Sequence, residues 1–277
     1  MTQLGKTLGL SALLASLALA TPVFAESPST TRTLDEWLLF YPAPYPAGTW
    51  DPPGLGQEDI WFQADDGTRL HGWLFASEKP RATVLYLHGN AGNLSHRAHL
   101  LARLRDQLNI SIFIPDYRGY GRSMGTPTVS GALSDARAAR RVLAQKQGVK
   151  EAEVVLMGRS LGGAIAVQLA AELNPPGLVL ESTFSSLRAV AAEHYAFLSW
   201  VVAEEKLNSE AAIARYHGPL LQSHGNADRI IPLPLGEALF AAASEPKQFV
   251  LIPGGDHNTP QPTHYYQLLD KFLPQKQ

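Results

Sequence analysis

Three residue types that can pass a proton along a line, Ser160, Asp228 and His257, occur in an order and a setting that suit acyl transfer. A serine hydroxyl attacks a carbonyl only when a base takes its proton, and that base needs an acid to fix its tautomer. Ser160 stands in "VVLMGRSLGGAIAVQL", where a strand-like run becomes an apolar helical run with only Gly158-Arg159-Ser160-Leu161-Gly162 between them. A turn that sharp lifts the serine oxygen above the end of its strand, and Gly158 and Gly162 permit the close backbone approach it requires. The following helix aims its first N–H groups and its positive dipole end at the reacting centre. Asp228 in "SHGNADRIIP" and His257 in "IPGGDHNTP" each sit in a loop directly after a strand-like run. A bare G-x-S-x-G is a weak signal, and glycine and serine often make a plain turn. The strand before, the helix after, and an acid and a histidine following in that order favour the chemical reading.

Charge developing on the carbonyl oxygen needs two N–H donors. Leu161, directly after Ser160, supplies one, and Asn90 in "HGNAGN" is expected to supply the other. His88 in that loop is read as structural. Glu181 also ends a strand and is a rival acid, better read as a structural carboxylate bonding loop N–H groups. His224, just before Asp228, and His264, in the last helical run, are rival bases. Asp256 reads as a structural or surface group, and Asp116 in "PDYRGYGRS" is expected to hold its loop together with Arg118. Scattered histidines and the lack of cysteine give no metal-ligand set. No phosphate-binding glycine loop follows a strand, so no cofactor is expected.

The positioning elements follow from periodicity. Strand-like runs at 83–88, 110–116, 154–158, 178–182, 220–225 and 248–254 alternate with helical patterns at 95–108, 131–147, 161–173, 233–244 and 262–273. That alternation predicts an α/β fold, a mainly parallel sheet with helices on both faces. "DIWFQADDGTRLHGWLFA" predicts an antiparallel hairpin at one edge, turning at Asp65-Asp66-Gly67. Ligands bind such sheets outside the carboxyl ends of the strands, where the reactive residues cluster. Residues 184–217 fall on that side and suit a small helical lid. Ala192, Tyr195, Leu198, Trp200 and Val201 form an apolar stripe that either lines an acyl pocket or packs on the core.

Residues 1–25 read as a separate unit. Lys6, an apolar run from Thr7 to Ala20 and the small-residue ending Val23-Phe24-Ala25 make a signal peptide cleaved near Ala25. The run is short for a membrane span of about 20 residues. An exported protein, periplasmic or secreted, is expected, with a proline-rich arm at 26–59 and the functional domain at 60–277. A formal net charge of −2 argues against a nucleic-acid partner. Nothing in the sequence specifies a membrane partner or an oligomeric state.

The blocks "LLFYP", "EDIWFQADDGTRLHGWLF", "VLYLHGNAGNLSHR", "PDYRGYGRSMGTPT", "GRSLGGAIAV", "ESTFSS", "HGNADRIIP" and "GGDHN" resemble, in order, those of the Bem46-like group of the α/β-hydrolase superfamily, over roughly residues 37 to 273. The resemblance implies the α/β-hydrolase fold, Ser160, Asp228 and His257 as a triad, and ester or thioester hydrolysis through an acyl-enzyme. The chain departs from several relatives in its signal-like amino terminus, and Arg159 fills an elbow position where the group accepts several residue types. The expected substrate is a small-molecule acyl ester, with short to medium chains because the lid is small. A serine peptidase of the same fold and a non-catalytic binding module are the alternatives.

Overall fold

The computed structural model of the protein describes residues 32–274, with the side chains of 196–198 outside the description. The signal-peptide reading of residues 1–25 and the start of the arm also lie outside it.

The arm is not irregular throughout. It holds helix α1 (Leu34–Leu39), which starts where the Thr33 N–H donates to Glu36 Oε2 at 3.1 Å. Glu36 is buried and its other oxygen accepts the Val129 N–H at 2.9 Å, which anchors the short helix to the domain. Beyond it the prolines keep the chain extended, and Tyr41–Pro42 pairs in parallel with Ala91–Gly92.

Eight strands follow: β1 (Glu58–Gln63), β2 (Arg69–Phe75), β3 (Thr83–Leu87), β4 (Ser111–Pro115), β5 (Val155–Arg159), β6 (Leu178–Glu181), β7 (Leu220–Gly225) and β8 (Lys247–Ile252). Their order across one sheet is β1-β2-β4-β3-β5-β6-β7-β8. The β1–β2 hairpin lies at one edge as expected, and β2 also runs antiparallel to β4. Every other pairing is parallel. The main helices are α2 (Ala98–Leu108), α3 (Val129–Gln147), α4 (Leu161–Leu173), α7 (Leu233–Ala242) and α8 (Thr263–Phe272), with α5 (Leu187–His194) and α6 (Ser209–Ile213) in the lid segment.

Side chains alternate across the strands and build two cores. Leu85, Leu87, Leu156 and Leu180 pack against Ala136 and Leu143 of α3 and Ile165 and Leu169 of α4. Val84, Tyr86, Val155 and Met157 pack on the opposite face against Leu101 and Leu104 of α2 and Leu269 of α8. With both faces covered, the central strands read as continuous apolar runs.

Asp116 and Arg118 fasten their loop through separate partners. Arg118 donates to Asp135 of α3 through Nη2 at 2.7 Å and to Asp66 of the hairpin turn through Nη1 at 2.8 Å. Asp116 Oδ1 instead accepts the Leu94 N–H at 2.8 Å. The carboxylate satisfies an N–H from the loop after β3, whereas the guanidinium reaches the buried acid Asp135.

Candidate active site

Ser160 sits between β5 and α4 with φ 53° and ψ −122°, a conformation that L-residues rarely adopt. The surroundings enforce it. A Cβ at Gly158 would overlap the Gly162 carbonyl, and one at Gly162 would overlap the Leu87 carbonyl, so strand and helix can meet only through glycine. The Ser160 N–H donates to the Glu181 carbonyl at 2.9 Å and the Thr183 hydroxyl to the Ser160 carbonyl at 2.8 Å, pinning both sides of the residue.

Asp228 and His257 meet. His257 Nδ1 lies 2.8 Å from Asp228 Oδ2, which places the neutral ring's proton on Nδ1 and leaves Nε2 able to accept one. Asp228 Oδ1 accepts the N–H groups of Ile230 at 2.9 Å and Ile231 at 2.8 Å. Burial by itself would raise the Asp228 carboxyl. Hydrogen bonds from His224, His257 and Ile231 outweigh it and hold the group well below the usual carboxylate range. Ser160 Oγ faces the cavity described below and makes no hydrogen bond among the described residues. Such contacts often tighten only once substrate is bound. The serine turn and the His257 loop are nonetheless in direct contact, because the Arg159 guanidinium donates to the His257 carbonyl.

Asn90 is fixed by three bonds. Its Nδ2 donates to the Leu39 carbonyl at 2.8 Å, while its own carbonyl accepts the Tyr41 N–H at 3.0 Å and the Tyr120 hydroxyl at 2.7 Å. Its backbone N–H and that of Leu161 have no acceptor among the described residues, the state two oxyanion donors should be in. His88 is buried and Nδ1 donates to the Gly89 carbonyl at 2.7 Å, a structural role.

The rivals fall elsewhere. Glu181 is structural, but side chains reach its carboxylate, the Tyr265 hydroxyl at 2.7 Å and Gln261, not loop N–H groups. His224 is fully buried and donates from Nε2 to the Ile231 carbonyl at 2.8 Å, 3.5 Å from Asp228 Oδ2. It packs against the Asp228 carboxylate with its Nε2 already engaged. His264 is exposed on α8, and Asp256 caps its own turn by accepting the Asn258 N–H at 2.9 Å.

Ser160 opens into an apolar gorge of about 190 Å³. The lid contributes Leu187, Val190, Ala191 and His194, one face of α5 at helical spacing, with Tyr195 and Val201. The expected stripe is therefore partly right. Tyr195 and Val201 line the gorge, Ala192 and Trp200 do not, and the Leu198 side chain lies outside the description. His194 Nε2 donates to the Ile230 carbonyl at 2.7 Å and ties the lid to the Asp228 loop. The opposite wall carries Leu34, Leu38 and Leu39 of α1, which periodicity in a proline-rich arm did not show. The spacing Thr33-x-x-Glu36 was the available signal. Among the described residues no group of three or more histidine and acidic side chains is placed to hold a metal ion.

A family model described as serine aminopeptidase, S33, matches residues 78–211. An uncharacterized protein of Mycobacterium tuberculosis is 39% identical over 227 residues, covering 81% of this chain and 80% of its own. The protein bem46 of Schizosaccharomyces pombe is 31% identical over 252 residues, covering 85% and 84%. Among solved structures, an esterase of Pyrococcus furiosus superposes with a TM-score of 0.71 at 18% identity, over 85% of this chain and 97% of that one.

Proposed function

The chain belongs to the Bem46-like α/β-hydrolases, and on that premise we propose that it hydrolyses carboxylic esters or thioesters through an acyl-enzyme on Ser160. The observation that carries this is the Asp228–His257 pair in contact with the strained serine turn, beside two unengaged N–H groups and an apolar gorge.

His257 Nε2 takes the Ser160 proton as Oγ attacks the acyl carbonyl. The N–H groups of Asn90 and Leu161 hold the resulting oxyanion. His257 then protonates the leaving oxygen or sulfur, and the acyl group stays on Ser160. Water deprotonated by His257 attacks that ester, and the acid leaves as the proton returns to Ser160. Asp228 holds the ring in one tautomer and stabilises its charged form throughout. The gorge takes the acyl chain. At about 190 Å³ it lies below the usual range of about 300–1,000 Å³ for small-molecule sites, which favours short to medium chains. The signal-like amino terminus supports work outside the cytoplasm.

The matched family description favours a second reading, an aminopeptidase. Such an enzyme needs a free carboxylate to receive the substrate's amino group. Among the described residues the one acid lining the gorge, Asp35, is already paired with Lys206 Nζ at 2.8 Å, so ester chemistry is the better fit.

Hydrolysis of a p-nitrophenyl ester series, with Ser160→Ala alongside, tests the reading. Wild type should turn over best on short to medium chains, and the variant should lose about 10³-fold or more. Equal rates would remove Ser160 from the chemistry. Turnover that keeps rising past about a dozen acyl carbons would contradict the size argument. Faster cleavage of aminoacyl amides than of esters would select the peptidase.

A further inference from the structure

Behind the loop that carries His257 lies a second cavity, of about 300 Å³, bounded by α2, α8 and residues 258–261. Unlike the gorge it is rich in hydrogen-bond donors: Arg97, Arg103, Arg159 and His96 line it, and Asn258, next to His257, forms part of its wall. Among the described residues its one carboxylate is Glu181, fully buried beside Arg159 and held by the Tyr265 hydroxyl. Arg159 is occupied, since it faces Glu181 and donates to the His257 carbonyl. Two cations remain beyond that balance. Arg103 lies over the Tyr266 ring at 5.9 Å, and Arg97 makes no hydrogen bond or ion pair among the described residues. His96 accepts the Asn93 N–H on Nδ1 at 3.1 Å, so its Nε2 is a donor in the neutral ring. Positive charge here exceeds what the protein itself balances, although the Gln261 Oε1 acceptor in the wall also lacks a donor, and an oxyanion supplies the missing charge.

We propose that this cleft binds a carboxylate or phosphate group, gripped by Arg97, Arg103 and His96 Nε2 beside the proposed catalytic histidine. The group has two possible sources. One is the leaving part of the substrate, which must depart on the His257 side because His257 protonates it. This version rests on the serine-hydrolase reading. The other is a free anion that binds independently of turnover and acts on the site through Arg159 and the His257 carbonyl.

The closing experiment has two arms. Inorganic phosphate is titrated into Ser160→Ala protein and followed by calorimetry and thermal shift. Wild type is assayed on two butyrate esters, one of 4-nitrophenol and one of 3-carboxy-4-nitrophenol. The expected result is a preference of about tenfold or more for the carboxylated leaving group, expressed in KM. The preference should collapse in Arg97→Gln and in Arg97→Ala/Arg103→Ala, and persist in Arg141→Ala, which removes an exposed arginine of α3. Saturable phosphate binding that those cleft substitutions abolish, without a leaving-group preference, assigns the cleft to a free anion. No saturable binding together with no preference overturns the proposal, as does either effect surviving the cleft substitutions. Failure of wild type to hydrolyse either ester would sink the ester-hydrolase reading, while the phosphate arm would still read the cleft.

Discussion

At the Asp228 carboxylate, two backbone N–H groups and His257 converge, with His224 packed close behind. In the proposed reaction the acid directs a proton and balances charge, so an uncharged isostere should keep the shape and lose the chemistry. Asp228→Asn is expected to fold and to lower kcat by about 10⁴-fold, measured on a butyrate ester, because the amide favours the wrong histidine tautomer. An Asn variant within tenfold of wild type would mean that Asp228 is not the orienting acid. His224 shows what single-residue reasoning could and could not reach. Its place at the end of β7 was legible, but its burial and its bond to the Ile231 carbonyl depend on how the next loop folds back, which no local pattern encodes.

Among the elements, α5 and α1 decide what reaches Ser160. Leu187, Val190 and Ala191 present one face of α5 to the gorge, so bulk added there should subtract directly from acyl length. Val190→Trp is expected to move the chain-length optimum toward acetate and to lower turnover of octanoate esters by about tenfold or more, as a few lost methylene contacts would. An unchanged profile would place the acyl chain elsewhere. The mainly parallel sheet, the edge hairpin and the helix alternation were legible because they follow from periods of two and 3.6 residues, whereas the order of strands across the sheet was not, because it depends on which way each crossover turns. The gorge wall was less so. The lid stripe was right at Tyr195 and Val201 but wrong in phase at Ala192, since the helix phase is set by what α5 packs on. Helix α1 was missed because proline density masked a six-residue helix whose stability comes from Glu36 bonding to Val129 and from Lys206 bonding to Asp35. The serine turn is the opposite case. There the sequence admits one geometry, and Gly162→Ala should cost about 3 kcal/mol or more in denaturant unfolding through its clash with the Leu87 carbonyl. A loss below about 1 kcal/mol would show that the turn can relax.

Across the whole molecule, Arg118 joins the edge hairpin to α3 through Asp66 and Asp135. Burial would raise the Asp66 carboxyl, but hydrogen bonds from Arg118 and Thr68 lower it to about 2. A depressed acid stabilises the fold above its unfolded pKa of about 3.9 and loses that contribution as pH falls toward the folded value. Melting temperature should therefore drop between about pH 4 and pH 2, and Asp66→Asn should flatten part of that drop. An unchanged slope would show that Asp66 does not couple to folding. The serine turn carries a different consequence for the molecule as a whole. With φ at 53°, Ser160 holds a backbone shape that glycine adopts freely and a side chain does not. Ser160→Gly should thus unfold at a higher temperature than Ser160→Ala while being equally inert. A lineage released from selection for activity would be expected to drift toward glycine at this position, trading reactivity for a more durable fold.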